Sequence, residues 1–94
     1  MRFKFSFEKN ATLLAERGIG FEEIIQAIAD GNVLDERDHY NQTKYPNQKI
    51  LYVRLLQDVY VVPFIEEKNG DIFLKTIFPS RKAKKSYLTQ LIIE

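Results

Sequence analysis

The sequence predicts an α+β domain in which two N-terminal helices and one C-terminal helix pack on a mainly antiparallel sheet of four to five strands. Apolar residues recur with helical spacing in the first third of the chain, and the second half holds three runs rich in β-branched and aromatic residues. The chain has 94 residues, of which 45% are apolar. This length and composition allow one hydrophobic core, so residues 1–94 are expected to form a single domain.

The N-terminal segment predicts a strand and then a short helix. Residues 2–7 alternate polar and apolar side chains, which places three phenylalanines on one face of a strand. Residues 8–17 are mostly good helix formers, and Gly18 follows them at a position where helices commonly end.

The clearest helix comes next. Its apolar residues fall at positions i, i+3, i+4 and i+7, and they are Phe21, Ile24, Ile25 and Ile28. Gly31 is expected to end this helix. Residues 32–47 are polar and rich in turn formers, and the beginning of this segment predicts a short edge strand.

Three further strands are expected to form an antiparallel meander over residues 49–56, 59–66 and 71–78. Asn69-Gly70 is a strong signal for a two-residue hairpin loop, and Gln57-Asp58 is short enough to join the first two strands. Tight loops of this kind require antiparallel pairing.

These two loops also predict the register of the meander. Arg54 lies opposite Val61 in this register, and Val61 lies opposite Phe78, the residue before Pro79. Arg54 is therefore expected one or two strands away from Arg81.

Both faces of the predicted sheet are largely apolar, so both need cover. The N-terminal helices are expected on one face. The other face receives either the apolar stripe of the C-terminal helix or a protein partner. The stripe consists of Ala83, Tyr87, Leu88, Leu91 and Ile92.

The corner between the last strand and the C-terminal helix is basic, with the order Pro79, Ser80, Arg81, Lys82 and Ala83. A helix N-terminus carries a partial positive charge and unpaired N–H groups, so it favours anions over cations. With Ser80 as the N-cap, the first turn would present N–H donors, a guanidinium and an ammonium group to a phosphate. The alternative interpretation is a solvated basic helix.

Composition excludes several kinds of site. The chain has no Cys and one His, so we expect no disulfide, no metal and no cofactor. The net charge is +1, but residues 67–94 hold six basic and three acidic residues, a local balance of +3. The start lacks the apolar run of a signal peptide, and no run reaches membrane-spanning length. A cytoplasmic protein without membrane contact is therefore expected.

What remains is metal-independent phosphate chemistry, and cleavage of RNA is the example that needs the least apparatus. This reaction needs a group that takes the 2′-hydroxyl proton, cations that stabilise the phosphorane charge, and a proton donor for the leaving oxygen. The candidate cations are Arg54, Arg81 and Lys82. Histidine titrates near neutrality, which makes His39 the first candidate for general acid or base. The other candidates for proton transfer are Tyr45, Lys44 and Glu66.

Each candidate also has a purely structural interpretation. His39 is then a solvated loop histidine, and Tyr45 is a packing anchor for its loop. Lys84 and Lys85 are interpreted as a solvated helix face that adds long-range attraction. Arg54 differs from these residues, because a charged group in the middle of an apolar strand needs a partner or an anion. A functional role is favoured for Arg54.

Four short motifs follow one another along the chain. They are Phe5-Ser6-Phe7-Glu8 with Lys9-Asn10, Arg17-Gly18-Ile19, Phe21-Glu22-Glu23, and Ser80-Arg81-Lys82-Ala83. In their order and spacing they resemble the BrnT-type toxins of bacterial toxin–antitoxin pairs. The resemblance covers nearly the whole chain. It implies a RelE-like fold, a metal-independent endoribonuclease that inhibits growth, and a cognate antitoxin that commonly binds DNA.

The resemblance makes Arg81 and Lys82 the strongest active-site candidates, followed by Arg54. The expected RNA-binding residues are Ser80, Lys84, Lys85 and Lys44. The family has Ala before its Arg-Lys pair where this chain has Pro79-Ser80, and residues 45–49 also depart from the family pattern. His39 and Tyr45 lie in or near this divergent part, so the choice between them stays open.

The leading hypothesis is an RNA-cleaving toxin that assembles with its antitoxin as a hetero-oligomer. The alternative is a non-catalytic module that binds nucleic acid or protein through the same basic corner, and a third possibility is a structural subunit. The basic residues are few and converge on one corner, whereas a general nucleic-acid binder more often carries positive charge over the whole domain. This distribution favours the enzyme.

Overall fold

The computed structural model describes the backbone of residues 2–92 and the side chains of residues 2–88. It confirms the α+β class, with three helices and a mixed sheet. The elements in chain order are β1 (Phe3–Lys4), α1 (Phe7–Arg17), α2 (Phe21–Ala29), β2 (Val33–Asp38), β3 (Gln48–Leu55), β4 (Asp58–Glu66), β5 (Ile72–Leu74), β6 (Phe78–Pro79) and α3 (Arg81–Ile92).

The sheet has the strand order β1-β5-β4-β3-β2, and β6 also pairs with β4. β1 and β5 run parallel, while the other pairs are antiparallel. The expected edge strand after the second helix is β2. The described sheet has one strand more than the predicted range allows, because residues 71–78 form two short strands rather than one.

Helix α1 begins one residue earlier than predicted, and this shortens the first strand. The Ser6 hydroxyl accepts a hydrogen bond from the Lys9 backbone N–H at 3.1 Å, which makes Ser6 an N-cap. Phe7 therefore starts the helix and is exposed, instead of continuing the apolar face of β1. Gly18 ends the helix with φ +70°, as predicted.

The start of α2 is held by a side chain from α1. Gly20 precedes the helix and has no side chain to cap it, so the Asn10 side-chain oxygen accepts the Phe21 N–H at 2.7 Å. A Cβ at Gly20 would lie 2.6 Å from this same oxygen, which only glycine avoids. This close approach holds α1 against the start of α2.

The main core lies between these helices and one face of the sheet. Strands β3, β4 and β5 contribute alternate residues, as the pleat requires. The buried cluster comprises Leu13, Ile19, Phe21, Ile24, Ala27, Leu51, Val53, Val62, Phe64, Ile72, Leu74 and Ile77.

The second sheet face is also apolar, and α3 packs on it beside β4. Ile50, Val59 and Val61 are buried there, and Ala83 of α3 is buried against this face. Leu91 and Ile92 of the predicted stripe lie outside the described side chains. Part of this face stays open, and the candidate site lies there.

The predicted pairing of Arg54 with Val61 is wrong. The turn between β3 and β4 uses Leu56 and Gln57 instead of Gln57 and Asp58, so Arg54 lies opposite Val59. Of the two central residues of this turn, only Leu56 has a positive φ, +58°. A positive φ at the first central residue alone is the pattern of a type II′ turn. Glycine is the usual residue at this position, and for that reason the sequence did not mark the turn.

Val61 does lie opposite Phe78, as predicted, although two deviations cancel to give this result. Residues 67–71 join β4 to β5, and the Glu67 N–H donates to the Asp71 carbonyl at 2.7 Å, which leaves a loop of three residues, 68–70. Of these three, only Gly70 has a positive φ. This loop moves the β5 register by one residue, since Glu66 pairs with Ile72. The irregular segment 75–77 then restores the original register in β6.

The N-terminal strand is fastened to β5 by a buried carboxylate. Asp71 accepts the Arg2 backbone N–H at 3.0 Å and a hydrogen bond from the Asn69 side chain at 3.2 Å. The Lys4 ammonium lies 3.6 Å from the same carboxylate. Burial raises the pKa of Asp71, but these hydrogen bonds and charges outweigh burial and hold the pKa below its usual value.

We expect Leu56→Gly to raise the free energy of unfolding by about 0.5–1 kcal/mol, because glycine relieves a positive φ and the lost side chain is 84% exposed. Chemical denaturation measures the change. Gln57→Gly is the matched control and should be destabilising, since the φ of Gln57 is not positive. Equal effects of both substitutions would contradict this description of the turn.

Asp71→Asn should lower the melting temperature at neutral pH. The native pKa of Asp71 is depressed, so its carboxylate stabilises the fold above the unfolded-state pKa, and this contribution disappears as the pH falls through the native pKa. Thermal melts of both proteins across acidic pH should therefore converge at low pH. A constant difference in melting temperature would show that the carboxylate charge is not responsible.

Candidate functional site

The basic corner is built as a capped helix N-terminus. The Ser80 hydroxyl accepts the Ala83 N–H at 3.0 Å, and the Ser80 carbonyl accepts the Lys84 N–H at 2.9 Å. The prediction of Ser80 as the N-cap is thus confirmed. The Ser80 N–H also donates to the Val59 carbonyl at 3.0 Å, so the start of α3 is fixed to β4.

The two cations of this corner face different parts of the surface. Consecutive residues on a helix are about 100° apart, because one turn takes 3.6 residues. Lys82 lines an open groove on the second sheet face. Arg81 lines a separate hollow with Asp58 and Tyr60, on the flank of α3. Of the two predicted cations, only Lys82 therefore lines the groove.

The groove lies between α3 and the loop of residues 39–48. It consists of two adjoining hollows that share Tyr40, Ile50 and Phe78. The hollow next to α3, here the helix hollow, has a volume of about 380 Å³. The hollow next to the loop, here the loop hollow, has a volume of about 320 Å³.

A polar cluster at the wall of the helix hollow joins α3 to the edge strand β2. Tyr87 donates its hydroxyl to the Asp35 carboxylate at 2.6 Å, and the Arg37 Nε donates to the same oxygen at 2.7 Å. The Tyr87 ring also contacts Tyr52, with 5.2 Å between ring centroids. Asp35 thereby fixes both Tyr87 and Arg37, two residues that line the hollow.

The protonation of this cluster follows from its hydrogen bonds. The bond from Tyr87, and then the bond from Arg37, lower the pKa of the Asp35 carboxyl below its usual value. Burial and the charge of Asp35 raise the pKa of the Tyr87 hydroxyl. Near neutral pH, Asp35 is therefore a carboxylate and Tyr87 keeps its proton.

His39 is buried, which corrects the interpretation of a solvated loop histidine. Only 7% of the residue is exposed, and its ring lies 4.5 Å from the rings of both Tyr40 and Tyr45. Its Nδ1 accepts the Asn41 N–H at 3.0 Å. The neutral ring therefore carries its proton on Nε2, and His39 lines the loop hollow as a hydrogen-bond donor.

Tyr45 also lines the loop hollow, together with Lys75 and Gln48. The Lys44 ammonium lies 5.4 Å from the centroid of the Tyr45 ring, a cation–π contact on the loop. Lys44 itself does not line either hollow. Tyr45 thus fits both of its interpretations, since it packs the loop and faces the groove.

Arg54 lies at the turn end of β3 and outside both hollows. Its Nε donates to the Leu56 carbonyl at 3.3 Å, so the backbone of its own turn provides the polar partner. Arg54 pairs with Val59, which bonds Ser80 on its other side. Two strand spacings, about 10 Å of backbone, therefore separate Arg54 from the start of α3.

The remaining candidates are distributed over the surface. Lys84 pairs with Asp58 at 3.3 Å on the flank of α3, and Lys85 is exposed on the same helix. Glu66 lines a hollow on the opposite side of the sheet, beside Phe3. The structure thus gathers Ser80, Lys82, His39 and Tyr45 along one groove, and it places the other candidates elsewhere.

The sequence did not identify several residues of the groove as site residues. They are Arg37, Tyr40, Tyr52 and Tyr87, and the Asp35 carboxylate that holds Arg37 and Tyr87 was not identified either. Strand alternation in β2 and β3 would have placed Arg37 opposite Ile50 on one face, had the register of these strands been known. No comparable signal identified Tyr40, because its position depends on the fold of the loop.

Among the described residues, no three His, Cys, Asp or Glu side chains are arranged to hold a metal ion. Within residues 2–92, no helix is long and apolar enough to cross a membrane.

Comparison with protein-family models, with curated proteins and with solved structures finds no match to this chain. The function is therefore inferred from the groove and from the sequence.

Tyr87→Phe should raise the pKa of Asp35 towards its ordinary value, because the variant lacks the hydrogen bond that lowers this pKa most. A carbon-13 NMR titration of the carboxyl groups measures it. Tyr52→Phe is the matched control, since Tyr52 contacts the Tyr87 ring and makes no described bond to Asp35. An unchanged Asp35 titration in Tyr87→Phe would contradict the description of this cluster.

Proposed function

We propose that this protein is a metal-independent endoribonuclease toxin of a toxin–antitoxin pair, with a RelE-like fold, and that RNA binds in the groove between α3 and the loop. The observation that carries the proposal is the composition of the groove. Cations, tyrosine rings and one buried histidine line a single open channel on an apolar sheet face.

The groove suits a single strand of RNA. Lys82 supplies positive charge at the helix hollow, where the charge of Arg37 is balanced by Asp35, and Lys75 supplies positive charge at the loop hollow. Proteins that bind single strands combine such a cationic track with aromatic side chains on which bases stack. Single-stranded RNA also exposes the 2′-hydroxyl and the base edges that a cleaving enzyme has to reach.

The proposed reaction is attack of a 2′-hydroxyl on the adjacent phosphate. The O2′–P bond forms and the P–O5′ bond breaks, which gives a 2′,3′-cyclic phosphate and a 5′-hydroxyl. A water molecule in the open groove takes the 2′-hydroxyl proton, O5′ receives a proton from the protein, and the protein donor regains its proton from solvent. Lys82 and the Nε2–H of His39 stabilise the charge that develops on the phosphate oxygens.

The geometry of His39 favours this role over proton transfer. Nε2 of the neutral ring already carries a proton, and Nδ1 is occupied by the Asn41 N–H. Tyr45 lines the same hollow and is the remaining candidate donor for O5′. His39 is therefore assigned to charge stabilisation, and Tyr45 to protonation of the leaving group.

The partners follow from the same proposal. A cognate antitoxin, encoded beside the toxin and able to bind DNA, would cover the groove in a hetero-oligomer. The cytoplasm, where RNA and the antitoxin are made, is the proposed location. The alternative, a non-catalytic module, predicts that RNA binds in the groove and stays intact.

The first test is cleavage of RNA by the purified protein in the presence of EDTA. The second is the growth of cells that express this protein with and without the product of the neighbouring gene, the proposed antitoxin. Lys82→Ala should lower the cleavage rate about a hundredfold, because it removes a cation from the phosphate site. Lys85→Ala is the matched control on the same helix and should retain the rate. Intact RNA with every preparation would overturn the proposal, and RNA that binds without cleavage would support the binding module.

Two further variants separate the roles of His39 and Tyr45. Tyr45→Phe should lose cleavage while it keeps RNA binding, since only the proton donor is removed. His39→Gln keeps an N–H donor and should retain more activity than His39→Ala. Circular dichroism of each variant checks the fold. Equal loss of activity in His39→Gln and His39→Ala would contradict this assignment and indicate that His39 transfers a proton.

A further inference from the structure

We infer that Tyr40 is a stacking platform for a nucleobase, at the point where the two hollows of the groove meet. The inference rests on the proposed function in naming RNA as the ligand. It adds a base-binding subsite to a groove whose other proposed roles concern the phosphate.

The first observation is the exposure of this side chain. Tyr40 is 85% exposed, although large aromatic side chains usually bury most of their surface. Phe7 at 83% and Leu56 at 84% are equally exposed, but neither lines the groove. Tyr40 lines both hollows, so any strand that occupies the groove has to pass its ring.

The second observation is the support behind the ring. Tyr40 lies against His39, with 4.5 Å between ring centroids and 31° between ring planes. Tyr45 lies against the same imidazole at 4.5 Å, and His39 is fixed by its bond from Asn41. Tyr40 is therefore the exposed member of a cluster of three tilted rings. A base placed on its open face would extend this aromatic cluster.

The third observation is the arrangement of charge around the ring. Lys82 and Arg37 lie in the helix hollow, while Lys75 lies in the loop hollow. Cations therefore flank Tyr40 on both sides, as a nucleotide with a phosphate on each side of its base requires. Arg37 is already balanced by Asp35, but a protein partner that contributed only an apolar side chain would leave Lys82 and Lys75 without counter-charges.

The experiment measures binding of a single-stranded RNA oligonucleotide of about eight nucleotides. Its 2′-hydroxyls are methylated so that the proposed reaction cannot occur, and fluorescence anisotropy gives the affinity. Tyr40→Ala should weaken binding about tenfold or more, because base–aromatic stacking contributes this much per base. Tyr40→Phe should retain the affinity, and Phe7→Ala is the matched control for loss of an exposed aromatic ring.

Two readouts separate stacking from a structural role. The dependence of affinity on salt should be unchanged in Tyr40→Ala, whereas Lys82→Ala should reduce its slope by about 0.7, since only the lysine releases a counterion. An oligonucleotide without bases should bind equally to wild type and Tyr40→Ala. Tyr40→Leu keeps an apolar cover on His39 without a π face, and it should bind as weakly as Tyr40→Ala.

The outcomes are distinct from those of the cleavage test. Unchanged affinity of Tyr40→Ala or Tyr40→Leu for the methylated oligonucleotide would overturn the inference even if the protein cleaves RNA. Loss of affinity that persists with the base-free oligonucleotide would also overturn it, because the ring would then act only on the fold. Tyr40-dependent binding without any cleavage would support the inference and overturn the proposal that the protein is a nuclease.

Discussion

Strand β4 has buried side chains on both of its faces, and most of the structure follows from this constraint. Val62 and Phe64 face α1 and α2, while Val59 and Val61 face the other way. Each such side chain contributes about 1.5–3 kcal/mol when it is removed from water, so neither face is stable without cover. The N-terminal helices cover the first face. Helix α3 covers only part of the second, because its start is bonded to the β4 backbone, and the groove is the part that it leaves open.

Local signals in the sequence were sufficient for most of the fold. Caps and glycines placed the three helices to within one or two residues, and alternation placed the central strands. The register failed where a turn used Leu56, a residue that does not mark a turn. The pairing of β1 with β5 was not predicted, because the bond from Arg2 to Asp71 spans 69 residues and leaves no local pattern. Long-range contacts decide this pairing.

The site was predictable to the extent that it is local. Ser80, Arg81 and Lys82 could be placed at a helix N-terminus from their order alone, although helical geometry sends the two cations to different surfaces. The burial of His39 could not be predicted, since it depends on how the loop folds Tyr40 and Tyr45 around the imidazole. The link from Tyr87 to Asp35 spans 52 residues, so a polar cluster that shapes the groove had no signature in the sequence.

The parallel pairing of β1 with β5 also has a consequence for synthesis on the ribosome. β1 cannot pair until β5, which lies about 70 residues later in the chain, has been synthesised. At roughly 5–20 residues per second, α1 and α2 emerge a few seconds before β5. Throughout this interval Phe21 and Ile24 have no complete sheet to pack against. The nascent chain therefore exposes the apolar side chains of α2 before the sheet can cover them. Chaperones that bind apolar segments can act on it until β5 has been translated.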